Sequence, residues 1–184
     1  MSARPAFFFD RDGVVNVSPG EGYVLNWPSF HFSEGIIPAL QIAKKKGYAL
    51  VLVTSQQGVG KGLMSQSDLD HIHAEMQKEL AANEAQFDLI LACTHLAGTC
   101  TCRKPSPEMI HIAEAQLGLD LSRSWLVGDH DRDIQMAQNA GIPHTIRILS
   151  YHQPAVRAEH TRSQVVQLSQ LLNDALPHAR PQGH

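Results

Sequence analysis

Two aspartates in the stretch "FFFDRDG" are the first residues whose types and spacing suggest chemistry. Asp10 and Asp12 directly follow an apolar run and stand two residues apart. Side chains at that spacing on an extended backbone point the same way. A D-x-D pair alone is usually a turn or a solvated pair, so a chemical role requires further groups at the same place.

Such groups follow the other apolar runs of the chain. Thr54 ends the apolar run at residues 48–54, and Lys104 lies ten residues after the end of the run at 88–94. Asp129 and Asp133 lie in "GDHDRD", directly after a further run. Carboxylates held close together repel each other unless a cation joins them, and oxygen ligands favour Mg²⁺. A hydroxyl and an ammonium at the same place suit a phosphate. Together these groups indicate phosphoryl transfer through an aspartyl-phosphate.

The stretch "CTHLAGTCTCRKP" contains all three cysteines of the chain. Cys93, His95, Cys100 and Cys102 have the residue types and the close spacing of zinc ligands. Four protein ligands leave no open position on the metal, so we expect a structural rather than a catalytic Zn²⁺. A disulfide would leave one thiol over and does not suit the reducing compartment that we expect below.

Buried strands alternating with helices must position these groups. Apolar, β-branched and aromatic runs predict five strands, and the segments between them show helical patterns. This alternation favours a doubly wound parallel α/β sheet, in which ligands bind beyond the carboxyl ends of the strands. The predicted strands span residues 6–9, 48–54, 88–94, 124–128 and 144–149.

Helix signals and one irregular segment complete this outline. We expect Ser33 to cap the helix after the first strand and Ser65 to cap the next one, with Asp68 completing a capping box. Residues 13–32, rich in Gly, Pro and aromatic residues, are interpreted as a flap over the site. No insertion is long enough for a cap domain. We expect His71, His73 and His111, which fall on predicted helices, to be surface or packing residues.

Length, composition and charge favour one soluble domain. The chain has 184 residues, of which 43% are hydrophobic, and a net charge of -3. We expect a domain over 1–175 and a disordered tail over 176–184. Without a basic block, signal peptide or long apolar run, we expect a cytoplasmic monomer that binds a small phosphorylated metabolite and neither nucleic acid nor a membrane.

Two other motif interpretations fail on individual residues. Asp10, Asp12 and Glu21 have the spacing of EF-hand ligands, but Val14 and Val15 occupy positions that need an oxygen ligand and a glycine. The stretch "GVGKG" at 58–62 lacks the phosphate-loop pattern, so we expect a flexible turn there.

Four stretches in order, "FFFDRDGVVN", "VLVTSQQG", "CTCRKP" and "WLVGDHDRDIQMAQNAGI", resemble the motifs of the haloacid dehalogenase superfamily. The resemblance covers about residues 6–150. Within that superfamily, the first and third stretches resemble a subfamily of heptose bisphosphate and histidinol phosphatases. The resemblance implies a Rossmann-like sheet of the haloacid dehalogenase type, without a cap, and with a small zinc loop.

The resemblance also implies roles for the acids. Asp10 would attack phosphorus and carry the phosphoryl group. Asp12 would protonate the leaving oxygen and then activate the water that hydrolyses the intermediate. Asp10, the carbonyl oxygen of Asp12, and Asp129 would bind Mg²⁺.

Further roles concern the phosphate and the substrate. Thr54 and Ser55 would hold phosphate oxygens, Lys104 would neutralise charge, and Arg103 would reach the non-reacting part of the substrate. The chain departs from the motifs at Ser55, where Asn is usual, and at His130, where Lys or Arg is common. Supporting roles would fall to Gln56, His130 and Asp133.

The flap sequence "EGYVLNWPSFHF" resembles the heptose enzymes, whereas the short loop between His95 and Cys100 is more similar to histidinol phosphatases. We expect a heptose bisphosphate phosphatase, with histidinol phosphate as the alternative substrate. A phosphotransferase and a non-catalytic, zinc-stabilised binding module are two further alternatives from other functional classes.

Overall fold

A six-stranded parallel sheet forms the centre of the computed structural model, which describes residues 2–177. All strand pairings are parallel, and the strand order is β3-β2-β1-β4-β5-β6. The strands are β1 (Ala6–Phe9), β2 (Ala49–Ser55), β3 (Leu89–Cys93), β4 (Trp125–Gly128), β5 (His144–Ile148) and β6 (His160–Arg162).

The five strands predicted from apolar runs are confirmed, and β6 is an addition. Its three residues are all polar or charged, and it pairs only with β5 at the sheet edge. A strand of this kind leaves no apolar run in the sequence, because its side chains do not enter the core.

Helices cover both faces of the sheet, as the doubly wound prediction requires. No cap domain is inserted among residues 2–177. Three short 3-10 turns lie at residues 27–29, 121–123 and 165–167. The helices are α1 (Ile36–Lys45), α2 (Gln57–Gly60), α3 (Gln66–Ala82), α4 (Glu108–Leu117), α5 (Asp131–Ala140) and α6 (Leu168–Ala175).

Strand β1 divides its side chains between two apolar cores. Phe7 and Phe9 pack with residues of α1, α3 and α6, whereas Ala6 and Phe8 pack with residues of α4 and α5. This alternation follows from the two-residue period of a strand. All four residues are fully buried, which explains why β1 appears as an uninterrupted apolar run.

The capping residue predicted for α3 is confirmed, and the one predicted for α1 is wrong. Ser65 accepts a hydrogen bond from the backbone N–H of Asp68 at 3.0 Å, and the Asp68 carboxylate accepts one from the N–H of Ser65 at 2.8 Å. The predicted Ser33 cap is wrong: Gly35, at φ 82°, precedes α1 and makes no side-chain cap. A Cβ on Gly35 would lie 2.6 Å from the Cα of Val166, so close packing excludes a larger capping residue.

The segment "GVGKG", predicted as a flexible turn, divides between α2 and the turn that follows it at Lys61 and Gly62. Gly58 and Gly60 both lie in α2, a single helical turn that follows β2 directly. A Cβ on Gly60 would lie 2.5 Å from the carbonyl oxygen of Thr94. The absence of a side chain therefore lets α2 pack against the chain that leaves β3.

The order of the strands creates a switch point between β1 and β4. The chain moves from β1 to β2 and β3 on one side of the sheet, then returns to β4, β5 and β6 on the other. Phe9 is level with Val127, and the backbone N–H of Asp10 donates to the carbonyl of Val127 at 3.0 Å. Asp10 and Asp129 therefore leave neighbouring strands at the position where open α/β sheets bind ligands.

The folded chain extends past the predicted start of the tail. Leu176 is buried, and the Lys46 ammonium donates to its carbonyl oxygen at 2.7 Å. The rest of the predicted tail from residue 178 onward lies outside the described residues. Within the described range, none of the helices combines the length and the apolar character needed to cross a bilayer.

Candidate active site

Three carboxylates converge at the switch point. Oxygens of Asp10, Asp129 and Asp133 lie within 4.8 Å of one another. The ammonium of Lys104 donates to Asp10 and to Asp133, at 2.7 Å in each case. Asp133 also accepts from the backbone N–H groups of Asp129 and His130, at 3.2 and 3.1 Å. Asp133 therefore both caps the start of α5 and belongs to the charged cluster.

Crowding and burial alter the acidity of these groups. Burial, followed by the charge of Asp133, raises the pKa of Asp10 from 3.8 to about 6. Burial and the charge of Asp10 raise the pKa of Asp129 to about 8. Asp133 differs: burial opposes ionisation, but the Lys104 ammonium outweighs it and lowers the pKa. The site therefore carries more negative charge than its own cations neutralise.

A magnesium ion fits this donor set. Arg11 and Lys104, the two cations that pair with these aspartates, face four carboxylates once Asp129 is counted, so two negative charges remain when all four are ionised. The oxygens of Asp133 are occupied by Lys104 and by backbone N–H groups, which leaves Asp10 and Asp129 as the carboxylate ligands. Oxygen donors and a charge deficit of two suit Mg²⁺.

Asp12 lies apart from that cluster, in a network of its own. Its Oδ1 atom accepts from Arg11 Nε and Nη2, at 3.1 and 3.0 Å, and from Asn16 Nδ2 at 3.0 Å. Its Oδ2 atom accepts from Gln56 Nε2 at 3.1 Å. Because its side chain is engaged in this way, any metal contact of Asp12 would involve its backbone carbonyl, as the sequence resemblance implied.

The end of β2 supplies hydroxyl groups near Asp12. Thr54 is buried, and its Oγ1 atom accepts from Gln56 Nε2 at 2.8 Å. The Ser55 hydroxyl is also buried but has no hydrogen-bond partner among residues 2–177. A buried hydroxyl without a partner is costly unless a ligand binds it, and a phosphate oxygen would suit it.

A cleft of about 220 Å³ joins the acids to the flap. Its walls include flap residues 18–23 together with Asp10, Asp12, Ser55 and Asp129. The Tyr151 hydroxyl donates to the carbonyl of Gly20 at 3.0 Å and so links the flap to the chain after β5. A larger groove of about 540 Å³ between α3 and β3 contains none of these acids, so we place the chemistry in the smaller cleft.

Basic and aromatic groups line the far wall of the cleft. These are His130, Arg132, Tyr151 and His152, of which only His130 is indicated by the sequence motifs. The rings of His130 and His152 lie 4.2 Å apart between centroids. Burial, and then the charges of Arg132 and His152, lower the pKa of His130. Arg132 lies within the fourth motif stretch but was not singled out, whereas Tyr151 and His152 belong to no motif and reach the cleft through the path of the chain after β5.

Arg103 does not line this cleft. Its Nη1 atom is buried and has no hydrogen-bond partner within the described chain. It precedes Lys104 directly, so its backbone position is fixed by the same loop that delivers Lys104 to Asp10. Its predicted contact with the far part of the substrate stays a prediction.

Cys93, His95, Cys100 and Cys102 form a compact cluster beside the cleft that could hold a metal ion. Cys93 Sγ lies 2.9 Å from Cys102 Sγ and 3.5 Å from Cys100 Sγ, and His95 Nδ1 lies 3.4 Å from Cys102 Sγ. Burial, together with the nearby Cys93 and Cys100, raises the pKa of Cys102 to about 12. One soft cation at the centre of the four would favour the thiolates, and this donor set suits Zn²⁺.

Backbone contacts connect this cluster to residues that were predicted to bind phosphate. Ser55 is level with Cys93 in the sheet, and the N–H of Gln56 donates to the carbonyl of Cys93 at 2.8 Å. The chain then passes from Cys102 to Lys104 within two residues. The cluster is therefore joined through the backbone both to Ser55 and Gln56 and to Lys104.

Comparison with known proteins agrees with this fold. Residues 101–163 match a family profile described as HAD-hydrolase-like. A HAD-like phosphatase from Mesorhizobium loti superposes with a TM-score of 0.84 at 27% identity, covering 100% of this chain and 91% of the other. With its parallel sheet and the aspartate pair after β1, this chain belongs to the class of HAD-like hydrolases.

More specific relatives act on a heptose. The curated D-glycero-beta-D-manno-heptose-1,7-bisphosphate 7-phosphatase of Vibrio cholerae serotype O1 is 38% identical over 148 residues, covering 76% of this chain and 78% of the relative. A D,D-heptose 1,7-bisphosphate phosphatase from B. bronchiseptica, complexed with magnesium and phosphate, superposes with a TM-score of 0.82 at 27% identity, covering 93% and 99%. The chain belongs to the family of D-glycero-beta-D-manno-heptose-1,7-bisphosphate 7-phosphatases.

Proposed function

We propose that this chain removes the 7-phosphate of D-glycero-β-D-manno-heptose 1,7-bisphosphate through a phosphoryl group carried on Asp10. The observation that carries the proposal is the placement of Asp10, 2.7 Å from Lys104 and at the switch point, in one cleft with a second acid, Asp12. The Vibrio cholerae relative named above supports both the reaction and the β configuration of the sugar.

In the first step, a carboxylate oxygen of Asp10 attacks phosphorus. The bond between phosphorus and the sugar oxygen breaks, and Asp12 donates a proton to that oxygen. An alkoxide is a poor leaving group, so the proton must arrive in the transition state. The ammonium of Lys104 keeps the Asp10 carboxylate oriented and offsets its negative charge as the anionic phosphate approaches.

In the second step, water attacks the phosphorus of the aspartyl-phosphate. Asp12, now ionised, accepts a proton from that water, and the bond between phosphorus and Asp10 breaks. Free phosphate and the original carboxylate result, so one residue serves as acid and then as base. The open, capless cleft admits the water that this step needs.

Asp10, Asp129 and the carbonyl oxygen of Asp12 would hold Mg²⁺ in this site. A bound Mg²⁺ supplies positive charge that polarises the phosphoryl group and favours ionised carboxylates. Thr54 and Ser55 would donate to phosphate oxygens, and the partnerless Ser55 hydroxyl supports this role. Arg103 would contact the remainder of the substrate.

Zn²⁺ bound by Cys93, His95, Cys100 and Cys102 would have a structural role. The four ligands leave no position for substrate, and the backbone after Cys102 leads directly to Arg103 and Lys104. The three unpaired thiols that this site requires also support our placement of the enzyme in the cytoplasm. The expected monomer stays a prediction.

A substrate comparison tests the proposal. Purified protein with Mg²⁺ should show a kcat/KM for the β-heptose 1,7-bisphosphate at least about 10-fold above that for the α anomer or for histidinol phosphate. A preference for histidinol phosphate would overturn the choice of substrate. Phosphate release that requires a sugar acceptor would indicate a phosphotransferase, and no turnover at any Mg²⁺ concentration would indicate a binding module.

A further inference from the structure

Arg11 is a fully buried cation that the mechanism described so far does not use. It stands between the two aspartates of the first motif, and none of its side chain is exposed. Its guanidinium lies 5.9 Å from the ring centroid of Phe30. Burying a cation this completely is costly, so its partners must compensate for the lost hydration.

The partners of Arg11 divide the two oxygens of Asp12 into different roles. Oδ1 accepts three N–H donors: two from Arg11 and one from Asn16. A carboxylate oxygen has two lone pairs, so these donors leave no room for a proton on Oδ1. Among residues 2–177, Oδ2 accepts only from the Gln56 amide, and it is the oxygen that remains able to carry a proton.

A histidine on α3 holds the other side of the guanidinium. His73 Nε2 lies 3.1 Å from Arg11 Nη1, and His73 is 8% exposed. Burial, and then the charge of Arg11, lower the pKa of His73 from 6.5 to about 4. At neutral pH the ring is therefore uncharged, and its Nε2 atom accepts the Nη1–H of Arg11 rather than repelling it.

We propose that Arg11 and His73 are positioning residues that fix the Asp12 carboxylate so that every proton transfer in the reaction takes place at Oδ2. The inference rests on the proposed function, because it assumes that Asp12 is the acid and base. His73 makes no contact with the cleft and acts only through Arg11. The chain of contacts runs from α3 to Arg11, to Asp12 and then to the leaving oxygen.

This assignment has a consequence that a purely structural role would not have. Fixing the acid matters most when the leaving oxygen is strongly basic, as in an alkyl phosphate. An aryl phosphate such as p-nitrophenyl phosphate has a weakly basic leaving oxygen and needs little protonation. The value of kcat/KM reports only steps up to the first irreversible one, here the departure of the leaving group.

The experiment compares His73→Leu, which removes the acceptor, with His73→Gln, which keeps a neutral one. For His73→Leu we expect kcat/KM on the heptose bisphosphate to fall about 10-fold or more and that on p-nitrophenyl phosphate to fall less than about 3-fold. His73→Gln should stay within about 3-fold of wild type on both substrates. His71→Leu, an exposed change on the same helix, should alter neither.

Equal losses on the two substrates, or a loss in His73→Gln as large as that in His73→Leu, would overturn the proposal. If His73→Leu does not fold, as judged by thermal unfolding, Arg11→Lys replaces it: the charge remains, but the paired N–H donors are lost, and the same selective loss is expected. A wild-type protein inactive on the heptose bisphosphate would refute the proposed substrate instead. The comparison would then use the alkyl phosphate that the wild type does hydrolyse.

Discussion

At the scale of single residues, two aspartates that look equivalent in the sequence have opposite surroundings. Asp10 has one cationic partner, Lys104, which it shares with Asp133, and two carboxylates nearby. Asp12 has a guanidinium and two amides and stands outside the carboxylate cluster. The first environment suits a nucleophile beside a metal, and the second suits an acid held in one orientation.

Replacing either aspartate by Asn should abolish turnover without unfolding the protein. Asp10→Asn removes the nucleophile and Asp12→Asn removes the transferable proton, so kcat should fall at least about 1,000-fold in each case. Steady-state kinetics with thermal unfolding as the folding control provides the measurement. Near wild-type activity in purified Asp10→Asn would exclude the aspartyl-phosphate mechanism.

Lys104→Met should affect both stability and activity. The change leaves Asp10 and Asp133 buried without their cation, which should lower the free energy of unfolding by about 3 kcal/mol or more. Turnover should fall at the same time, because phosphate loses a charge partner. Urea unfolding and kinetics are compared with Lys78→Met, a highly exposed lysine for which neither should change. Unchanged stability in Lys104→Met would contradict a buried ion pair of this importance.

At the scale of elements, the end of β3 and the loop that leads to α4 bring two groups of residues together. Cys93 at the end of β3 and the loop as far as Cys102 gather four side chains that could hold a metal ion, and the next two residues are Arg103 and Lys104. The loop is anchored beyond them as well, because Asn139 of α5 donates to the carbonyl of Pro105 at 3.0 Å. A metal among those four side chains would thus hold the backbone from which Lys104 reaches Asp10.

Cys102→Ser should lose zinc and, with it, activity. We expect zinc content, measured by elemental analysis, to fall below about 0.2 per chain and kcat to fall about 10-fold or more, because disrupting the groups that support a site typically has such effects. The Mg²⁺ concentration that gives half-maximal activity should change little, since Asp10 and Asp129 are untouched. Thr101→Ser, next in the chain, is the control. Full activity in a zinc-free Cys102→Ser protein would show that the loop does not need the metal.

At the scale of the whole molecule, buried groups on separate elements make stability depend on pH. His73 lies on α3 and contacts Arg11 at the end of β1, 62 residues away. Its pKa is about 4 in the folded protein, against an ordinary histidine value of 6.5 that applies to the unfolded chain. A histidine whose folded pKa is depressed contributes stability that is complete above pH 6.5 and lost as the pH falls towards 4.

His73→Gln should therefore show weaker acid destabilisation than the wild type. Between about pH 7.5 and 4.5, the wild type should lose about 2 to 3 kcal/mol more free energy of unfolding than His73→Gln, since each pKa unit corresponds to about 1.4 kcal/mol. Urea unfolding at the two pH values provides the measurement. His71→Gln should follow the wild type, and parallel curves for wild type and His73→Gln would show that His73 is not buried in the neutral form.

Much of the fold follows from local signals, and much of the charged network does not. Three consecutive phenylalanines, Phe7, Phe8 and Phe9, predict a strand that is buried on both faces, because successive side chains of a strand point to opposite faces of the sheet. The contact of His73 with Arg11 has no local signal in the sequence. Leu69, Ile72 and Met76 indicate the buried face of α3, but they do not indicate which distant residue His73 contacts. Tyr151 and His152 likewise reach the cleft through the path of the chain after β5.

The sequence by itself determined the alternation of strands and helices, the two acids at the end of the first strand, and the grouping of three cysteines and a histidine within ten residues, because each depends on near neighbours. Only the tertiary structure decided the strand order, the pairing of Lys104 with both Asp10 and Asp133, and the separation of Asp12 from the carboxylate cluster. The two contacts of Lys104 join residues that are 29 and 94 positions apart. They exist because packing both faces of one sheet brings distant strand ends to a single edge.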